Sequence, residues 1–234
     1  MRAPDAHTSG AGALDPARAS LLHGLQGLIF DCDGVMFDSW ESNKLYYNLI
    51  LARLGLGPMN PDQERYVHSH AVKACLEYIT PRDRWPEMEA ARVSVSYVDE
   101  ILPHLTPEPD LFPLLERLKA EGVRMAVHTN RTNTMHLLVQ RFGFDAFFNP
   151  VLSAAEVRPK PDPEGVEVIL QQWDADPAKV AFIGDSDLDE QTAVNGGVRF
   201  WAFRSPGLSA ELHLTDFTSL MGLFDVARQG ARHV

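Results

Sequence analysis

Short apolar runs that stop abruptly at polar residues recur along the chain. The first, Gly27–Phe30, ends at Asp31. Such runs between turn residues are typical of buried strands. The same pattern predicts four further strands, at residues 124–128, 147–152, 180–183 and 198–203.

Segments with apolar residues at helical spacing separate most of these strands. Glycines follow two of them, Gly122 and Gly143, and glycine commonly ends a helix. The predicted helices are residues 111–121, 133–142, 163–173, 188–194 and 214–224. Alternating strands and helices indicate an α/β fold, a doubly wound, Rossmann-like parallel sheet with helices on both faces.

The stretch between Asp38 and residue 106 breaks this alternation. It contains three helical patterns, the last at residues 87–101, and no convincing strand. We therefore predict an inserted all-helical cap domain at residues 39–105. The core domain then comprises residues 24–38 and 106–234, and residues 1–23 form a loose leader.

Composition narrows the range of partners. The 234 residues are 45% hydrophobic, enough for one core with a smaller appended unit. A net charge of −11 without a long basic run argues against nucleic acid or an anionic membrane as partner. Two cysteines and no apolar run of membrane-spanning length favour a cytoplasmic protein. We expect a small-molecule substrate and a monomer or homodimer.

Asp31 and Asp33 are the first candidates for chemistry. Two carboxylates this close repel each other unless a proton or cation intervenes, and a hard divalent cation prefers oxygen ligands. One carboxylate could act as a nucleophile and the other could transfer protons. Gly34 would allow a sharp turn beside them. The pair could instead be turn residues. An EF-hand loop is excluded, because its twelfth position would be Ser42.

A second acidic cluster follows the predicted strand at residues 180–183. A helix N-terminus explains one carboxylate there but not three. Asp185 lies where a metal ligand at a strand end would lie, and Asp189 could face the same site one helical turn later. Asp187 is better explained as a cap or a solvated residue.

Three further residues lie at strand ends or in a rigid loop. Thr129 and Asn130 offer a hydroxyl, an amide and backbone N–H groups to a phosphate, although turn residues would look the same. Lys160, flanked by prolines, could offset negative charge on a phosphoryl group, although most loop lysines are solvated. Because ligands bind beyond the carboxyl ends of parallel strands, Asp31, Thr129 and Asp185 should meet there.

These residues together resemble the haloacid dehalogenase superfamily. Its phosphatase branch carries Asp-x-Asp-Gly-x-x-x-Asp, then Thr or Ser, then Lys, then Gly-Asp-x-x-x-Asp. The corresponding residues here are Asp31 through Asp38, Thr129, Lys160 and Gly184 through Asp189. The likeness extends over about residues 25–224, and the position of the helical insertion is similar to the phosphoglycolate phosphatase and phosphoglucomutase-like subgroup.

The resemblance implies a phosphatase that forms an aspartyl phosphate. Asp31 would attack phosphorus, and Asp33 would protonate the leaving group and then activate water. Lys160 would stabilise Asp31 and the transferring group.

The resemblance also implies the binding groups. Mg²⁺ would be held by the Asp31 carboxylate, the Asp33 backbone carbonyl and the Asp185 carboxylate, with Asp189 as a direct or outer partner. Thr129 and the Asn130 backbone would bind the phosphoryl oxygens.

Three related chemistries and a non-enzymatic role compete with this interpretation. Asp33 argues against a hydrolytic dehalogenase, which needs no leaving-group acid. A phosphosugar mutase would carry a cap histidine where this chain has Asn43. Phosphonate cleavage would need a cap lysine such as Lys44 or Lys73. A binding module on the same fold would usually lack a catalytic acid, and none is missing here.

The substrate is expected to be a small phosphorylated metabolite selected by the cap. The candidate residues for its recognition are Asn43, Lys44, Arg82 and Arg84.

Overall fold

A computed structural model describes residues 15–69 and 72–231. It contains eight strands within those residues. They are β1 (Gly27–Phe30), β2 (Phe37–Asp38), β3 (Thr106–Pro107), β4 (Arg124–Thr129), β5 (Val151–Ser153), β6 (Val180–Gly184), β7 (Arg199–Phe203) and β8 (Leu212–Leu214).

Ten α-helices lie among these strands in the described residues. They are α1 (Pro16–Ala19), α2 (Trp40–Arg53), α3 (Pro61–Ser69), α4 (Val72–Ile79), α5 (Trp85–Ser94), α6 (Leu111–Ala120), α7 (Met135–Phe142), α8 (Glu164–Trp173), α9 (Asp187–Asn195) and α10 (Phe217–Ala231). Short turns of 3₁₀-helix connect several of them, and one turn of π-helix spans Tyr97–Ile101.

Six strands form one parallel sheet in the order β5-β4-β1-β6-β7-β8. In its centre, Phe30 lies beside Val127 of β4 on one side and Ile183 of β6 on the other. The residues that follow these three strands therefore emerge side by side at one edge. The predicted doubly wound parallel sheet is confirmed.

Alternation along β1 explains why helices cover both faces. All four of its residues are buried. Successive side chains of a strand point to opposite faces. Leu28 and Phe30 pack into one hydrophobic cluster with residues of α6 and α10. Ile29 packs into another cluster with Val166 and Ile169 of α8. Both faces are apolar, so the polar chemistry is confined to the strand ends.

Residues 39–105 form what we call the helical region. Its described residues form helices and turns with a hydrophobic cluster of their own, which includes Tyr47, Ile50 and Leu76. Where the chain leaves and re-enters the core, β2 and β3 pair antiparallel, with Asp38 opposite Thr106. The interpretation of this region as a cap domain remains a prediction.

The structure departs from the predicted elements in several places, and the following are examples. The helix predicted at residues 87–101 stops at Ser94, where Val95 is extended. Strand β8 was not predicted, because three residues at a sheet edge carry little periodic signal. The leader, for which the sequence also allows a short helix at residues 17–25, is helical at residues 16–22, and its Ala19 and Leu22 are buried in the core rather than loose; residues 1–14 lie outside the described residues. None of the described helices combines the length and apolar character that a bilayer span requires.

Candidate active site

Asp31 lies at the centre of the sheet edge and contacts Lys160. The backbone N–H of Asp31 donates to the Ile183 carbonyl, which continues the β1–β6 pairing by one residue. The Lys160 ammonium group donates 2.7 Å to Asp31 Oδ1 and 2.5 Å to Asp189 Oδ1. All three side chains are buried, so this is an ion-pair network shielded from water. The structure thus brings together the predicted nucleophile and the predicted lysine.

Asp185 completes a group of three carboxylates. Three carboxylate oxygens lie within 4.8 Å of one another, one each from Asp31, Asp185 and Asp189. Three carboxylates against the single Lys160 ammonium leave two uncompensated negative charges. Oxygen ligands and this charge fit a hard divalent cation such as Mg²⁺, so the donor set matches the predicted metal.

Gly34 allows Asp185 to approach this group. The Gly34 backbone has φ +77°, and a Cβ at that position would clash with the Asp185 carboxylate. Only glycine combines that backbone conformation with the missing side chain. The close approach of Asp185 therefore requires a glycine at position 34.

Asp189 also shapes the N-terminus of α9. Ser186 is the N-cap, and Asp189 Oδ2 accepts hydrogen bonds from the Ser186 hydroxyl at 2.6 Å and from the Asp185 N–H at 3.2 Å. With Oδ1 bound to Lys160, both oxygens of Asp189 have protein partners. Asp187, by contrast, is exposed in the first turn of the helix. Asp189 therefore orients Lys160 and Asp185 in addition to offering its charge.

The side chains of Thr129 and Asn130 have different hydrogen-bond partners. Thr129 is buried, and its hydroxyl accepts a 3.1 Å hydrogen bond from the Arg131 N–H. The Asn130 side chain instead holds the lysine loop, because Oδ1 accepts from the Lys160 N–H at 2.7 Å and Nδ2 donates to the Lys160 carbonyl at 3.3 Å. The Asn130 amide is thus occupied in positioning Lys160. Phosphate binding by Thr129, Lys160 and the Asn130 backbone stays a prediction.

Asp33 is paired with an arginine that the sequence analysis missed. Arg131 Nε donates 2.7 Å to Asp33 Oδ2, and Arg131 Nη2 donates 2.5 Å to Asp33 Oδ1. Arg131 Nη1 also donates 2.5 Å to the hydroxyl of Tyr97, from the helical region. The available signal was the position of Arg131, a cation directly after Thr129-Asn130 at a strand end.

Burial dominates the electrostatics of the acidic group. It raises the pKa of Asp31 well above its usual value, against the opposing effect of Lys160. Burial and the Asp189 carboxylate raise the pKa of Asp185 to about 7. Burial disfavours the charge of Lys160, but Asp189 and Asp31 outweigh it, so the pKa of Lys160 is raised. The carboxylates therefore carry more negative charge than Lys160 offsets, and a bound divalent cation would neutralise the excess.

Two buried residues beside the site have no catalytic contact. Burial raises the pKa of the Cys32 thiol, which disfavours the thiolate that a cysteine nucleophile needs. His128 is fully buried against Phe182, and neither of its ring nitrogens has a hydrogen-bond partner. Desolvation lowers the pKa of His128 to about 4, so it is a neutral core residue.

No hydrogen bond or ion pair in the part of the chain that the structure describes joins the four predicted substrate residues to Asp31, Lys160, Asp185 or Asp189. Lys44 pairs with Glu64 at 2.9 Å, and Arg84 pairs with Glu87 at 2.8 Å. Arg82 is exposed and lies over the ring of Trp85, and Asn43 is half-buried on α2. Their contact with a substrate stays a prediction.

A polar cavity of about 330 Å³ opens beside Asp185. It is lined in part by Glu108, on the connection back from the helical region, and by Arg204, after β7. Arg204 Nη1 donates 2.6 Å to Glu108 Oε1, while the buried Glu108 Oε2 has no partner. This ion pair links the segment that follows the helical region to the core, next to Asp185.

Comparison with known proteins agrees with this geometry. Residues 28–203 match the family model described as haloacid dehalogenase-like hydrolase. A phosphoglycolate phosphatase from Caulobacter vibrioides is 30% identical over 76% of this chain and 80% of its own. An N-acetylmuramic acid 6-phosphate phosphatase from Pseudomonas aeruginosa is 27% identical over 77% of this chain and 82% of its own. The crystal structure of a subfamily IA hydrolase of this superfamily from Geobacter sulfurreducens superposes with a TM-score of 0.77, at 31% identity over 86% of this chain and 97% of that one.

The chain belongs to the haloacid dehalogenase-like hydrolase family. The prediction of a phosphoric monoester hydrolase in the phosphoglycolate phosphatase-like subgroup is confirmed.

Proposed function

We propose that this protein hydrolyses a small phosphomonoester with Asp31 as nucleophile and Mg²⁺ as cofactor. The observation that carries the proposal is the buried group in which Lys160 contacts Asp31 at 2.7 Å while Asp185 and Asp189 lie within 4.8 Å. A nucleophilic carboxylate facing a dianionic phosphate needs positive charge nearby. Lys160 supplies part of it, and the remaining two negative charges favour a divalent cation.

The chain's own residues perform the two halves of the reaction. An Asp31 oxygen attacks phosphorus, the bond to the ester oxygen breaks, and Asp33 gives that oxygen a proton. Asp33 then takes a proton from water, which attacks the aspartyl phosphate and releases inorganic phosphate. Thr129 and the Lys160 ammonium group would bind the phosphoryl oxygens. The Asp31 and Asp185 carboxylates and the Asp33 carbonyl would hold Mg²⁺, which supplies charge stabilisation when bound.

The names of the relatives suggest the first compounds to test. The Caulobacter relative is a phosphoglycolate phosphatase and the Pseudomonas relative an N-acetylmuramic acid 6-phosphate phosphatase. The substrates in these two names are small phosphorylated metabolites. We propose phosphoglycolate as the first substrate to examine.

Phosphate release tests the nucleophile. Asp31→Asn should lower kcat for an aryl phosphate and for phosphoglycolate by at least about a thousandfold, because removal of a nucleophile abolishes the covalent route. Asp187→Asn, which removes an exposed carboxylate from the same acidic segment, is the matched control and should keep near-normal activity. Near-normal turnover by Asp31→Asn would disprove the mechanism. Interconversion of sugar phosphate isomers without net phosphate release would instead indicate a mutase.

The intermediate can be detected directly. With an aryl phosphate, whose leaving group departs without protonation, Asp33→Asn should slow chiefly the water step. An acid-quenched sample should then carry one covalent phosphoryl group on the peptide containing Asp31. Intact mass and peptide mapping would show it. A phosphoryl group on any other residue would contradict the assignment of Asp31.

A further inference from the structure

Arg131 connects the acid/base residue to the helical region. Its guanidinium donates to both oxygens of Asp33, to the Tyr97 hydroxyl at 2.5 Å and to the Thr134 hydroxyl at 3.3 Å. Only 11% of the Arg131 side chain is exposed. It also lies 5.7 Å from the centre of the Tyr97 ring. Arg131 is therefore held from three directions in a largely dry environment.

Tyr97 links Arg131 to the packing of the helical region. It packs against both the core cluster that contains Phe30 and the separate cluster of the helical region. Burial raises the pKa of the Tyr97 phenol, so Tyr97 meets Arg131 as a neutral hydroxyl. The position of Arg131 is consequently tied to the packing of the helical region.

The contact between Arg131 and Asp33 is incompatible with proton donation. Both oxygens of Asp33 accept hydrogen bonds from the guanidinium, so neither is available to donate to an ester oxygen. The pair must open for Asp33 to act. A buried guanidinium without an anion is costly, so the partner that replaces Asp33 has to be negatively charged.

The substrate's leaving group is the available source of that charge. The phosphoryl group is directed to Asp31, Lys160 and Thr129. The ester oxygen and the guanidinium each contact Asp33, so two hydrogen bonds place them within about 6 Å of each other. A carboxylate on the carbon that bears the ester oxygen spans that distance and offers two oxygens to the guanidinium.

We propose that Arg131 is a specificity-determining residue that exchanges Asp33 for the carboxylate of a phosphorylated 2-hydroxy acid. This inference rests on the proposed function. Binding of such a substrate frees Asp33 from the guanidinium, so Asp33 can take up a proton from solvent and then give it to the ester oxygen. A phosphomonoester with a neutral leaving group leaves Arg131 on Asp33 and is a poor substrate.

Two compounds of similar size test the exchange. Phosphoglycolate carries the carboxylate, and 2-hydroxyethyl phosphate has a neutral hydroxymethyl group in its place. The wild-type protein should prefer phosphoglycolate in kcat/KM by about 100-fold, the range expected for a charged, bidentate contact. Arg131→Gln should reduce that preference to within about fivefold, chiefly through loss of phosphoglycolate turnover. Arg131→Lys, which keeps the charge but not the fork, should lie between.

Arg141→Gln is the matched control, because it removes an exposed guanidinium from α7 and should leave the preference unchanged. Equal losses on both compounds in Arg131→Gln would overturn the proposal, as would a wild-type protein without preference. If Arg131→Gln does not fold, Tyr97→Phe replaces it and should lower the preference by about fivefold.

Binding distinguishes failure of this inference from failure of the proposed function. Asp31→Asn can be titrated calorimetrically with both compounds without turnover. Adding Arg131→Gln should weaken phosphoglycolate binding by about 30-fold and 2-hydroxyethyl phosphate binding by less than about twofold. Unequal weakening supports the role of Arg131 even if no compound is hydrolysed by the wild-type protein. Equal weakening contradicts it even if phosphate is released.

Discussion

Lys160 and Asp189 form a buried ion pair, with the ammonium nitrogen 2.5 Å from a carboxylate oxygen that has no exposed surface. The same nitrogen also contacts Asp31. One cation thus stabilises two carboxylates that are 129 and 29 residues away in the chain. Fold stability and nucleophile position depend on the same lysine.

Replacement of this lysine should destabilise the metal-free protein. We expect Lys160→Met to lower the free energy of unfolding by about 3 kcal/mol, because two carboxylates are left buried without their cation. Urea unfolding in EDTA measures this, and Mg²⁺ should recover part of the loss. Lys179→Met is the control, since the Lys179 side chain is about half exposed and 4.0 Å from Asp176. An equally small effect of both substitutions would contradict the role of Lys160.

Metal binding should depend on pH. Below the pKa of about 7 that burial and Asp189 confer on Asp185, Mg²⁺ has to displace a proton from this ligand. Apparent affinity should therefore fall at least about tenfold per pH unit below 7. The rise in melting temperature on adding Mg²⁺ should accordingly be larger at about pH 8 than at about pH 6. Asp185→Asn should reduce the shift at about pH 8, because a metal ligand is lost; a wild-type shift of equal size at both pH values would refute the idea.

Gly34→Ala should impair the metal site more than the fold. The new Cβ would displace the Asp185 carboxylate, and the positive φ would cost about 1 kcal/mol. Gly55→Ala separates the two effects, because Gly55 has φ +69° and a Cβ there meets no atom within 4 Å. Both variants should lose similar stability in EDTA, whereas only Gly34→Ala should lose Mg²⁺ affinity. Isothermal titration with Mg²⁺ would show the difference, and equal affinities would argue against the close approach.

The effects of substituting Arg204 and Glu108, the ion pair beside the cavity, on the free energy of unfolding should be coupled. Arg204→Ala leaves the buried Glu108 carboxylate without its partner and should lower the free energy of unfolding by about 2 kcal/mol, less than a fully buried pair because the guanidinium is half exposed. Glu108→Gln in that background should restore part of the loss. A double-mutant cycle by chemical unfolding measures the coupling. Additive effects of the two substitutions would show that the pair contributes nothing.

The sequence predicted the sheet edge because strand ends of a parallel sheet are local features with a known common position. Asp31, Thr129 and Asp185 could therefore be placed together from the sequence alone. The contact between Lys160 and Asp189 was not predictable in this way, since it depends on how a loop folds back over α9. Arg131 was missed for the same reason: its partners, Asp33 and Tyr97, come from two distant segments whose packing leaves no periodic signal.

The pairing of β2 with β3 has a consequence for how this molecule can diversify. Asp38 and Thr106 lie opposite each other, so the helical region begins and ends at adjacent points of the backbone. Opposed residues in an antiparallel pair are about 5 Å apart, a gap that a short turn can close. Helices of other lengths and sequences can therefore be exchanged at this junction while the sheet and its carboxylates keep their register. The helical region can then vary while the carboxylates on the other side of the junction keep their positions.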